Sequence, residues 1–171
     1  TNNPAWIFYG LVMNTRYGLG KRLGSFGCDK WAMYVIAQYC DQLVGDGFGG
    51  QEPRMTCNAY ITDQRKAYDV ISDLSSVFRA MPVWDGLQMT CIMDRPADPV
   101  WRYSNANVVE GKFSYSASAQ KARHTAIHVR YIDPKNGWEA ATEYVADDSM
   151  IARYGLNVSK VDAFGCTSRG Q

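Results

Sequence analysis

The sequence predicts an α+β fold of mixed helices and mainly antiparallel sheet, on three observations. Ala67, Val70, Ile71, Leu74, Val77 and Phe78 recur at helical spacing, while Lys66, Asp69 and Asp73 fall on the opposite side. Residues 124–132 and 138–145 flank Asp133-Pro134-Lys135-Asn136-Gly137, a five-residue hairpin loop. Beyond Pro96 and Pro99 the helical signals give way to strand signals. This shift sets the expected division into a helix-rich part, 1–98, and a β-rich part, 99–171, or one compact unit of both.

In chain order, Asn3-Pro4 supplies an N-cap and a proline at the first helical position, so a helix is expected over 5–13. That run is apolar on nearly every face, as a helix is when buried all round or docked on another subunit. Residues 16–27 are Gly-rich and read as a loop. A second helix follows over 30–43, capped by Asp29, with Trp31, Tyr34, Val35 and Gln38 along one side. Residues 44–53, with four glycines, read as a connection that either stays loose until a neighbour buries Phe48 or is pinned within its own domain. The alternation over 54–62 predicts a half-buried strand. Asp63 is the expected cap of the helix over 67–78. Asp85-Gly86, between 81–84 and 87–93, is a two-residue hairpin signal. Phe113, Tyr115 and Ala117 alternate with Ser114, Ser116 and Ser118, which predicts a strand over 112–118. A short helix over 147–154 closes at Gly155, and a last strand spans 157–164.

With 171 residues, 46% apolar, 13% aromatic and 20% charged, the chain has material for a core and no disorder signature. A net charge of +1 with scattered Lys and Arg argues against nucleic-acid binding, and no apolar run reaches membrane-spanning length. Thr1 is not a Met and both ends read as cuts within something longer.

The chemistry-bearing patterns are weak. Gly18-Leu19-Gly20-Lys21-Arg22 lacks the Ser or Thr after Lys and the preceding strand that a phosphate loop needs. His124 and His128 share a strand face without a third ligand at metal-site spacing, so packing or a hydrogen bond to Thr142 is the expectation and no metal is expected. Asp94, Asp98, Glu139, Glu143, Asp147 and Asp148 are the carboxylates from which a glycoside-hydrolysing pair would come. The spacing pairs none of them, Glu139 and Glu143 reading as a solvated strand face and Asp147-Asp148 as the start of a helix. Cys28, Cys40, Cys57, Cys91 and Cys166 form no C-x-x-C pair and read mostly as small buried hydrophobes, with Cys28 the foremost alternative as a reactive thiol. No catalytic residue and no cofactor is assigned. The surplus is aromatic: Trp6, Tyr9, Tyr17, Trp31, Trp84, Trp101, Trp138 and Tyr154 exceed the needs of one small core and point to subunit interfaces. Trp6, Tyr9, Tyr17 and Phe48 are the candidate assembly residues.

Asn3-Pro4-Ala5-Trp6, continuing through Leu11 and Asn14 to Arg16-Tyr17-Gly18-Leu19-Gly20, resembles the central tail-tip or host-specificity proteins of lambda-like siphophages. The likeness continues through Tyr39-Cys40-Asp41, Arg54-Met55-Thr56-Cys57-Asn58, residues 108–113, Arg153-Tyr154-Gly155 and Ala163-Phe164-Gly165-Cys166-Thr167-Ser168-Arg169-Gly170-Gln171. The resemblance implies a tail-hub-like fold, a trimer in the longer parent protein, and contacts with other tail-tip and tail-tube proteins at the virion tail tip after assembly in the bacterial cytoplasm. It carries no catalytic motif onto this chain and leaves receptor binding to another region of the parent. Two other readings stand beside it: a tail-associated cell-wall hydrolase, which needs converging carboxylates or a metal triad, and a carbohydrate-binding module, which needs several aromatic rings along one open groove.

Overall fold

A computed structural model describes all residues, 1–171. Helix α1 (Pro4–Met13) starts where expected, the Asn3 side chain accepting from the Ala5 and Trp6 backbone N–H groups. The same buried side chain donates to the Ala37 carbonyl at 2.9 Å, tying α1 to α3 (Lys30–Asp41). Asp29 caps α3 as the sequence predicts, accepting from Trp31 and Ala32 N–H at 2.9 and 3.1 Å. Met33, Ile36, Ala37 and Cys40 face inward, whereas the side bearing Trp31, Tyr34 and Val35 looks out, with Trp31 74% exposed. Helix α4 (Ala67–Val77) buries Ile71 and Leu74, followed by Phe78. Phe8 and Phe78, both without solvent exposure, meet edge to face at 6.1 Å where α1 crosses α4. Such a pair is worth about 0.5–1.5 kcal/mol beyond its area.

Two hairpins flank this helical core. Strands β1 (Leu43–Gly45) and β2 (Gln51–Pro53) pair antiparallel. The expected loose connection over 44–53 is therefore a closed hairpin, its turn held by the Asp46 carboxylate, which accepts from Phe48 and Gly50 N–H at 2.8 Å each. Strands β3 (Ala80–Trp84) and β4 (Met89–Met93) pair as predicted, but Trp84 faces Met89, which makes the turn four residues long. Asp85 closes it by accepting from Leu87 and Gln88 N–H, a job a two-residue turn would not give it. A third, three-stranded sheet has the order β6-β5-β7. Strand β5 (Ala126–Asp133) pairs antiparallel with β6 (Glu139–Ala146) and parallel with β7 (Val158–Asp162), the crossover being α5 (Asp148–Tyr154), capped by Asp147 and closed at Gly155. The fold is α+β with antiparallel and mixed sheets. No helix is long and apolar enough to cross a membrane.

Four further expectations need correction. The loop over 16–27 contains a short helix, α2 (Gly20–Leu23), seated so closely that a Cβ on Gly20 would lie 2.2 Å from the Met13 carbonyl oxygen. The strand over 54–62 does not form. Its N–H groups go to different elements, Met55 to Cys40, Cys57 to Asn2 and Asn58 to Gly165, so no single neighbour offers a ladder. Asp63 does not cap α4, which begins at Ala67 after Lys66 without a side-chain cap, Arg65 pairing with Asp73 at 2.6 Å. The strand over 112–118 finds no partner either: residues 94–125 hold only two single-turn 3-10 helices, and Tyr115 is 91% exposed.

Cys28, Cys40, Cys57 and Cys91 are buried, and all five thiols are free. Burial pushes Cys28 up to about 11 and Cys40 and Cys91 up to about 12, so Cys28 loses its place as a reactive thiol. Burial raises the Cys166 thiol as well, but it alone is half-exposed, so a maleimide at pH 7.5 is expected to label native protein at Cys166 alone, and all five cysteines after unfolding. Mass spectrometry of the labelled peptides reads the outcome.

Candidate assembly surface

One side of α1 borders an open groove of about 840 Å³ at the margin of the core, lined by fifteen residues, twelve of them hydrophobic. Trp6, Ile7 and Leu11 of α1 line it together with Tyr17, Tyr60, Ile61, Ile132 and Trp138. The rings are well exposed: Tyr17 73%, Tyr60 91% and Trp138 63%. Tyr9 stacks edge to face on Trp6 at 5.9 Å, and Tyr34 lies 6.3 Å from the same ring. Of the four candidates, the structure thus brings Trp6 and Tyr17 to one groove, with Tyr9 behind Trp6. Phe48 is elsewhere.

Phe48 belongs to a clasp built by residues 164–171. The Arg169 guanidinium lies 4.5 Å over the Phe48 ring and pairs with Glu143 on β6 at 2.6 Å. Ser168 donates to Glu52 on β2, Asn58 donates to Thr167 at 2.8 Å, and Gln171 and Thr56 exchange two hydrogen bonds. The Ile132 N–H donates to the Cys166 carbonyl, so one short segment touches both hairpin β1–β2 and the β6-β5-β7 sheet. Two glycines make this possible. Gly165 has φ +68 and its missing Cβ would lie 2.6 Å from Cys57 Sγ, and at Gly170 a Cβ would lie 2.5 Å from the Asp46 carbonyl oxygen. The bond from Arg169 holds the Glu143 carboxyl below its ordinary range and raises the guanidinium in return.

The other candidates fall apart chemically. His128 stands opposite Tyr144 in register and its ring packs 5.1 Å from that ring, so of the two expectations cross-strand packing holds, and its partner is Tyr144. Glu143 is engaged by Arg169, and Asp147 caps α5 with its carboxyl held low by Ser149 and Met150. A general acid for glycoside cleavage needs the opposite shift. The clasp residues Arg169 and Glu52 escaped sequence reasoning because their partners lie 26 and 116 positions away in the chain.

The unusual strings of the sequence coincide with this geometry, α1 and its turn bordering the groove and the last eight residues forming the clasp. Residues 66–171 match the family of putative phage tail proteins, and the chain belongs to that family. Across all of its length it is 40% identical to the tip attachment protein J of Escherichia phage SECphi27 and 35% identical to that of Escherichia phage SECphi4. It spans only 14% and 15% of the length of those relatives.

Gly10 separates a need of the fold from a need of the surface. It lies inside α1, lines the groove, and a Cβ there would meet nothing within 4 Å. Nothing in the chain requires glycine at that point, and helix-interior glycine costs about 0.5–1 kcal/mol relative to alanine. Gly10→Ala is therefore expected to raise Tm by about 2 °C while lowering incorporation into tails. Gly165→Ala is expected to lose about 1–2 kcal/mol from the left-handed backbone alone, plus the clash with Cys57. Thermal unfolding of both variants beside a tail-assembly assay checks the contrast.

Proposed function

We propose that the chain is a non-enzymatic structural segment of a phage tail tip, a hub piece supporting tail assembly and host attachment. The observation that carries the reading is unmet burial. Only 22 of 171 residues are buried and 12614 Å² stays accessible. A self-sufficient folded monomer of 19.2 kDa exposes about 8,400 Å². The surplus, about 4,000 Å², is surface left for the rest of the assembly to cover, and it includes the aromatic groove. The relatives are named tip attachment proteins, which supports reading that surface as a tail-tip contact. On this reading the longer protein self-associates as a trimer, meets other tip and tube proteins, binds no nucleic acid through this segment, and is assembled in the host cytoplasm. Parts 1–98 and 99–171 act as one unit through the clasp, and Trp6, Tyr9, Tyr17 and Phe48 serve as assembly residues.

The groove also meets the geometric condition for carbohydrate binding, since Trp6, Tyr17, Tyr60 and Trp138 border one opening. Sugar recognition needs polar partners beside its stacked rings, and apart from the Tyr hydroxyls and Trp N–H groups this lining offers Thr1 and Asn58, the latter already donating to Thr167. The apolar lining favours protein over glycan.

Antibodies raised against this segment are expected to decorate the distal end of purified tails by electron microscopy, and the protein to leave a peptidoglycan suspension turbid. Decoration of heads or the tail shaft, or clearing of the suspension, would overturn the reading. Quenching of Trp fluorescence by cell-wall oligosaccharides at millimolar concentration would favour the carbohydrate alternative.

A further inference from the structure

We propose that residues 112–118 add as a strand to the free outer edge of β6 in a second copy of the chain. The proposal rests on the assembly reading above and names one contact within it. A strand-forming segment is present without a strand to pair with. Phe113, Tyr115 and Ala117 alternate with three serines, yet the segment has no ladder partner in its own chain, and Val109, Phe113 and Tyr115 are exposed. A receptive edge is also present. Strand β6 is the outer strand of its sheet, eight residues long, with unbroken register against β5 from Ala126↔Ala146 to Asp133↔Glu139. It carries no proline, lysine or bulge, and of its two charged residues Glu139 stands at the strand's start while Glu143 is taken up by Arg169, which leaves the stretch from Tyr144 to Ala146 uncharged. Tyr144 and Val145, 49% and 59% exposed, offer apolar ground on its two faces. The opposite edge, β7, is five residues long and carries Lys160 and Asp162.

Reach assigns the contact to another copy. The Asn157 side chain, next to the start of β7, donates to the carbonyls of Lys121 and Arg123 at 2.9 Å each. The Gln120 side chain donates to the Tyr154 carbonyl at 3.1 Å. From the β7 position to the far side of β6 is three strand spacings, about 14 Å. The three residues from Lys121 back to Ser118 span at most about 11 Å. The segment falls short of its own β6 while a neighbour's is open to it. Arm and edge are different surfaces, so the contact is heterologous and repeats from copy to copy until a ring closes. The main-chain ladder gives affinity and the aromatic side chains give register.

The test uses purified tails containing the full protein. Hydrogen exchange is expected to show the amides of 112–118 and the outward amides of β6 slowed at least ten-fold in tails relative to dissociated protein. Exchange equally fast in both states overturns the proposal while leaving tip localisation untouched. In a second arm, Tyr115→Cys and Thr142→Cys, both exposed in the single chain, are combined on a Cys166→Ser background that removes the native maleimide-reactive thiol, and the tails are treated with a short bismaleimide. Linked species of two or more chains are expected, absent from either single variant. A link closing within one chain, or none, overturns the proposal. Should the variants fail to assemble, the exchange measurement on unaltered protein decides alone.

Discussion

Residues 164–171 are the constraint on which the rest of the arrangement depends. The helical core closes on itself around Phe8 and Phe78, and the sheet closes on itself through β5, but these two bodies share little direct packing. What joins them is a segment whose main chain bonds Asn58 on one side and Ile132 on the other, with Phe164 against the core and Arg169 bridging Phe48 to Glu143. A segment that threads so narrow a seam must be small where it passes, which accounts for Gly165 and Gly170. The groove exists because of this join: α1 lines it together with Ile132 and Trp138 of the sheet side.

The ionic part of the clasp is exposed and weak on its own. Surface ion pairs are worth about 0–1 kcal/mol, and their value here is geometric, since Arg169 lies over an aromatic face and within a salt bridge at once. The depressed Glu143 carboxyl contributes stability that is present above its unfolded range and lost as pH falls through its folded value.

Much of the fold was legible because local signals and tertiary demands agree. Asn3-Pro4, Asp29 and Asp147 are caps wherever the helix goes, and the stripe Ile71, Leu74 and Phe78 needs only one apolar neighbour. The misses share one cause. Alternation over 54–62 and 112–118 reports a chain suited to pairing, but a strand is made by its neighbour, and neither segment has one within this chain. Hairpin β1–β2 was hidden by its glycines, whose turn is fixed by the Asp46 carboxylate in place of a hydrophobic pattern. In the candidate site, Trp6 and Tyr17 were legible as aromatics beyond the needs of a core. Their meeting with Tyr60, Ile61 and Trp138 was not, because it depends on the join made more than a hundred residues away.

The central claim is that the apolar groove of this phage tail family member is covered in the assembled particle. Hydroxyl-radical footprinting read by mass spectrometry tests it most directly, comparing oxidation of Trp6, Tyr17, Tyr60 and Trp138 in the dissociated protein and in intact tails. The account predicts that all four oxidise in dissociated protein and fall several-fold together in tails. Equal oxidation in both states would contradict it.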